Sequence, residues 1–131
     1  KEQYDLDGKL ITCDPQTGGE KFYRIDPPPE LVFEKQNFNI FSNPDFTNIL
    51  RNNGIKTLVI TGMDTIYCVE TAIRNGYDLG YKIVVPHDLV AGNAKDIDLH
   101  NRTLELVNRS FGVVVSSEEL QNIWLQYTNK N

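Results

Sequence analysis

Cysteine, histidine and positive charge are all scarce in this chain, and each scarcity excludes something. The 131 residues contain 2 cysteines and 2 histidines. Cys13 and Cys68 sit in different contexts, so free thiols in a reducing compartment, the cytoplasm, are expected rather than a disulfide framework. No C-x-x-C pair is present, which weakens a thiol-redox reading. Neither His87 nor His100 has ligand spacing with a cysteine, so no metal and no cofactor are expected. Lys and Arg number 13 against 18 Asp and Glu, a net charge of -5, which argues against nucleic acid as a partner. No apolar run approaches the roughly 18 residues of a membrane span. The opening KEQYDLDGKL is charged and has no apolar centre, unlike a signal peptide, and the absence of an initiator methionine suggests a processed or trimmed piece.

What is present is an ordinary globular composition, 40% hydrophobic, on a length that suits one core. Residues 1–30 form an N-terminal hairpin and linker by pattern. Lys9-Leu10-Ile11-Thr12-Cys13 and Lys21-Phe22-Tyr23-Arg24-Ile25 read as strands around the turn-rich Asp14-Pro15-Gln16-Thr17-Gly18-Gly19. Pro27-Pro28-Pro29 then makes a stiff extended link. Residues 31–131 alternate strand and helix, and the whole is expected to be one structural domain. Strands are predicted at Leu31-Val32-Phe33-Glu34, at Thr57-Leu58-Val59-Ile60-Thr61 (buried on both faces), at Tyr81 to Pro86 and at Val113-Val114-Val115. Helices are predicted from Asn43, with Pro44 at the first position and Gly54 as the stop, then over 67–79, 96–109 and 116–127. The last opens with the capping-box pattern Ser116-x-x-Glu119. Such alternation implies an α/β fold with a mainly parallel sheet covered on both faces. Trp124, with Leu120 and Ile123, is expected in packing or a subunit contact.

Cys68 falls just after a predicted buried strand, at the expected first turn of a helix. Free backbone N–H groups there favour a thiolate and also suit the oxyanion of an attacked carbonyl. A buried, inert cysteine fits the same position. Lys35 follows the first predicted strand of the alternating region. A lysine beside a cysteine favours the thiolate by charge, although most lysines are simply solvated.

The lysine element Val32-Phe33-Glu34-Lys35 with Phe41, the strand Gly54 to Gly62, the turn Thr65-Ile66-Tyr67-Cys68-Val69-Glu70-Thr71-Ala72 and the run Gly80 to Val85 with Asp88 and Ala91 together resemble the isochorismatase-like cysteine hydrolase family. His100 and the segment from Val113 to Leu120 fit the same pattern, and the resemblance covers Ile25 to Trp124. It implies a three-layer α/β/α, Rossmann-like fold. It also implies Cys68 as nucleophile, Lys35 as its cationic partner, and the N–H groups of Tyr67 and Cys68 as oxyanion hole. A cis peptide is implied in the region of Gly62, Met63 and Asp64. Phe38, Phe41, Tyr67 and His87 are candidates to line the substrate pocket. The implied chemistry is hydrolysis of a C–N bond in a small-molecule amide through a thioester.

The family's triad also needs an aspartate at the end of an apolar first strand. Asp5, Asp7 and Asp14 stand in polar or turn contexts, so that strand and its aspartate are expected to be missing from this chain. A cut protein, a companion chain supplying the strand, or loss of the base would each account for this. Asp64 is the base candidate nearest Cys68 in sequence, though a helix-start aspartate is the simpler expectation. The family's nicotinamidase branch places its metal site before the lysine, where this chain has no histidine. A homo-oligomer is expected. The alternative to an enzyme is a catalytically inactive relative serving as a binding or assembly module.

Overall fold

The computed structural model describes residues 16–18, 21–22, 24–35 and 37–128. Two compact units divide the chain, 1–32 and 33–131. In the first, Gln16, Thr17 and Gly18 form a turn, closed by the Lys21 N–H donating to the Gly18 carbonyl (3.1 Å). The first arm of the expected hairpin, with Cys13, lies outside the described residues, as do Asp5, Asp7 and Asp14. The described part of the second arm is not strand. Arg24 there adopts φ 59°, a left-handed conformation that breaks an extended run. Pro29–Leu31 is a single 3-10 turn, and Val32 leaves it extended but unpaired in any sheet. The strand expected over Leu31–Glu34 is therefore absent.

The second unit holds a parallel α/β core. Helix α1 (Pro44–Asn52) starts where Asn43 accepts from the N–H groups of Asp45 and Phe46 at 2.9 and 3.3 Å. This satisfies helix-start donors that have no partner inside the helix. It ends at Gly54, whose φ of 63° suits a residue without a Cβ. Strands β1 (Thr57–Val59), β3 (Lys82–Pro86) and β5 (Val113–Val115) form one parallel sheet in the order β1-β3-β5. A second parallel pair, not foreseen from the sequence, joins β2 (Gly62–Met63) to β4 (Val90–Ala91). Helices α2 (Glu70–Asp78) and α3 (Ile97–Ser110) make the crossovers, and α4 (Ser117–Thr128) follows β5.

The core lies on β3 and the helices against it: Val69, Ile73, Ile83, Val85, Val90 and Val107 are buried together. Ile73 and Val85 are both 0% exposed. At Gly112 an added Cβ would lie 2.5 Å from the Ile83 carbonyl, so the chain entering β5 approaches β3 closely only because glycine stands there. The continuous apolar run of β1 suggested burial on both faces, yet Val59 is 45% exposed. The central position belongs to β3, and among the described residues β1 is paired on one side only. Trp124 is 66% exposed, so it is not core packing. Among the described residues no helix is long and apolar enough to cross a membrane.

Candidate active site

The chain leaves the β1 and β2 strands and turns sharply at Asp64. The Met63–Asp64 peptide bond is cis. Thr65–Val69 then forms one π-helical turn that runs directly into α2. Asp64 organises this turn through two groups. Its carboxylate accepts from the Ile66 N–H (3.3 Å), and its carbonyl accepts from the N–H groups of Tyr67 and Val69, both at 3.1 Å. Asp64 is thus a cap, which accounts for the aspartate so close to Cys68. The Tyr67 amide, expected in the oxyanion hole, is turned back into the turn. The residues at the ends of the turn, Thr65 and Val69, are buried, while Cys68 is half-buried and Tyr67 exposed. This pattern anchors the turn in the core and presents Cys68 outward.

Lys35 arrives from an irregular, exposed segment. Its Nζ lies 3.3 Å from Cys68 Sγ, and it also donates to the Asn37 carbonyl at 2.9 Å. The residue before it is fixed too, because Asn43 Nδ2 donates to the Glu34 carbonyl (2.8 Å). Asn43 therefore serves α1 with its oxygen and the lysine segment with its nitrogen. Nearby, Asn39 donates to Asn75 on α2, and Asn75 donates to the Thr71 carbonyl. These asparagine contacts were not foreseen. Their polar composition reads from sequence only as turn chemistry.

The other candidates divide. Phe38 packs against Tyr67 with ring centroids 5.4 Å apart, beside the Lys35–Cys68 contact. Phe41 packs instead with Phe46 and Tyr81, and its ring approaches Gly76 of α2. His87 is exposed and opens the His87–Leu89 turn, whose Asp88 meets the start of α4. There Asp88 accepts from the Ser117 N–H and hydroxyl, and Glu119 accepts from the Ser116 N–H and hydroxyl. His100 contacts Thr65, with Nδ1 2.9 Å from Oγ1. Among the described residues no carboxylate pairs with Lys35, and no cluster of three His, Cys, Asp or Glu side chains could hold a metal.

The sequence that builds this contact matches a known family. The isochorismatase domain model matches residues 1–119. This chain belongs to the isochorismatase family. The match begins well before Ile25, so it takes in residues 1–24 as well. Among relatives, the ureidoacrylate amidohydrolase RutB of Acinetobacter baylyi is 30% identical over 126 residues, covering 93% of this chain and 49% of that protein. The chain thus spans about half the length of that relative. Among solved structures, the nicotinamidase SaPncA from Staphylococcus aureus is 33% identical, with a TM-score of 0.56 over 63% of this chain and 50% of that one. An isochorismatase family protein from Desulfovibrio vulgaris gives a TM-score of 0.77 at 20% identity, over 92% of this chain and 63% of that one, and supports the fold alone.

Proposed function

We propose that this isochorismatase-family chain carries the nucleophile and the cation of a cysteine amidohydrolase acting on small carboxamides. One observation carries the proposal: Lys35 Nζ stands 3.3 Å from Cys68 Sγ, although the residues are 33 positions apart. A long, entropically costly side chain held at that distance sets a positive charge beside the sulfur. Relatives named for ureidoacrylate and nicotinamide hydrolysis support an amide as the bond attacked.

In the proposed reaction the Cys68 thiolate attacks the amide carbonyl carbon, forming a C–S bond and placing charge on the oxygen. The Cys68 N–H is the donor assigned to that oxyanion, since the Tyr67 N–H is committed to Asp64. The C–N bond breaks, and the nitrogen takes a proton and leaves as ammonia or an amine. Water then attacks the thioester and releases the carboxylic acid, returning the thiol. The acid–base group for these proton transfers is an aspartate from outside the described residues, or from a companion chain in the assembly. A free thiol nucleophile stays reduced in a reducing compartment, which suits the cytoplasm.

The test is mass spectrometry of the protein mixed with primary carboxamides. An acyl adduct on Cys68, lost in Cys68→Ala together with ammonia release, is the expected result. Equal hydrolysis by wild type and Cys68→Ala overturns the proposal.

A further inference from the structure

Thr65 is the one polar side chain buried in the core of the described residues, at 0% exposure. A valine would occupy the same space and pack as well against Val69 and the apolar groups around it. A hydroxyl in that place costs free energy unless it is hydrogen-bonded. Its partner is His100 in the first turn of α3, with Nδ1 2.9 Å from Oγ1, across 35 positions of sequence. The Asp64 bonds set the internal shape of the nucleophile turn. Among the described residues, the Thr65–His100 bond is the side-chain hydrogen bond that ties this turn to α3.

We infer that His100 is a positioning residue for the nucleophile. Its Nδ1 fixes the Thr65 hydroxyl, and the fixed hydroxyl sets where the turn places Cys68 against Lys35. This rests on Cys68 being the nucleophile. Thr65 opens the turn and Cys68 stands three residues on, so a rotation at Thr65 carries the sulfur with it. The 3.3 Å contact leaves little room for that movement, because attack geometry is lost over about 1 Å. Among the described residues neither Thr65 nor His100 hydrogen-bonds to the Cys68 sulfur or to Lys35, and they act through the backbone of the turn.

The test uses the whole chain as wild type, His100→Ala, His100→Asn, Thr65→Val and the double variant His100→Ala with Thr65→Val. Two readouts are taken: the rate of Cys68 alkylation by iodoacetamide at neutral pH, and amide hydrogen exchange across residues 66–69. In His100→Ala the alkylation rate is expected to fall about 10-fold, with faster exchange in the turn. Asparagine places an amide group near the position of Nδ1, so His100→Asn recovers most of the rate. The double variant is no slower than the slower single one, because both remove the same bond. An unchanged rate and exchange in His100→Ala overturn the inference, as does His100→Asn behaving like His100→Ala. Should His100→Ala not fold, Thr65→Val, which keeps the packing, decides alone: slower alkylation with faster exchange supports the inference, and wild-type behaviour sinks it. Failure of the amidohydrolase proposal shows separately, as a wild-type Cys68 that forms no acyl adduct. The exchange comparison stands in either event.

Discussion

The two sides of the Lys35–Cys68 contact are built by different physics. Cys68 rides on a turn whose ends, Thr65 and Val69, are buried, and which leads into α2 with Ile73 at the centre of the core. Lys35 rides on an exposed segment outside any helix or strand, held by the Asn43–Glu34 and Lys35–Asn37 hydrogen bonds. Burial positions the sulfur and directional polar contacts position the cation. Core burial makes the first side costly to deform, whereas the second can be loosened without unfolding anything. A substitution in the core beneath the turn should therefore register mainly in stability, and one in the lysine segment mainly in reactivity.

The largest effects come at the contact itself. Cys68→Ala is expected to remove amide hydrolysis entirely. Lys35→Met is expected to lower it by about 10²-fold or more, the usual scale for a group that prepares a nucleophile. Both variants should melt close to wild type, since neither side chain is core. A Lys35→Met protein with unchanged ammonia release would remove the cation from the chemistry and end the comparison. Next in size is Ile73→Ala, on the buried side. Emptying a 0% exposed site beside Val69 and Ile83 should cost about 2–5 kcal/mol in urea unfolding. Near-wild-type stability there would mean that the turn is not anchored by the core.

Helix starts and strand β3 were the more legible in sequence. Asn43-Pro44 gave the start of α1, Ser116-x-x-Glu119 the start of α4, and the apolar run within Tyr81 to Pro86 a buried strand. Each is a local signal with a local cause. Cys68 and Lys35 were singled out in sequence by their strand-end positions together with a family pattern. Their separation of 3.3 Å needed coordinates. Three features misled or stayed silent for physical reasons. The β1 run is as apolar as a central strand but has a neighbour on one side only among the described residues. Leu31–Glu34 has strand composition, but composition supplies no ladder partner, and the segment is a 3-10 turn followed by irregular chain. The Thr65–His100 bond joins residues far apart in sequence, and no local periodicity encodes such a pairing.

Acid separates the surface from the core in another way. Hydrogen bonds from Ser117 hold the Asp88 carboxyl below its ordinary value of 3.8, with a smaller contribution from the charge of His87. Hydrogen bonds from Ser116 likewise hold Glu119 below 4.5. A carboxylate with a depressed folded-state pKa contributes stability that is complete above its unfolded value. That contribution is lost as pH falls through the folded value. The attachment of the α4 start should therefore weaken below about pH 4, as both groups take up protons. Asp88→Asn with Glu119→Gln should flatten the dependence of the urea midpoint on pH in that range. Both carboxylates are exposed, so the effect is small. The same pH dependence in the double variant would assign it to other groups.

The smallest expected effect probes the comparison most directly, because Asn43 belongs to both of its kinds of contact. Its Oδ1 caps α1 and its Nδ2 holds the Glu34 carbonyl next to Lys35. Serine caps a helix about as well as asparagine but has no amide to reach Glu34. Asn43→Ser should therefore keep the urea midpoint near wild type while alkylation of Cys68 slows severalfold. Asn43→Ala should slow it equally and also lose about 1 kcal/mol from the helix start. The Lys35–Asn37 bond survives in both variants, which limits the loss. If Asn43→Ser alkylates at the wild-type rate, Lys35 finds Cys68 through its own flexible stem and needs no fixed backbone. The cation would then be a tethered charge, and only the nucleophile side of the site would be preorganised.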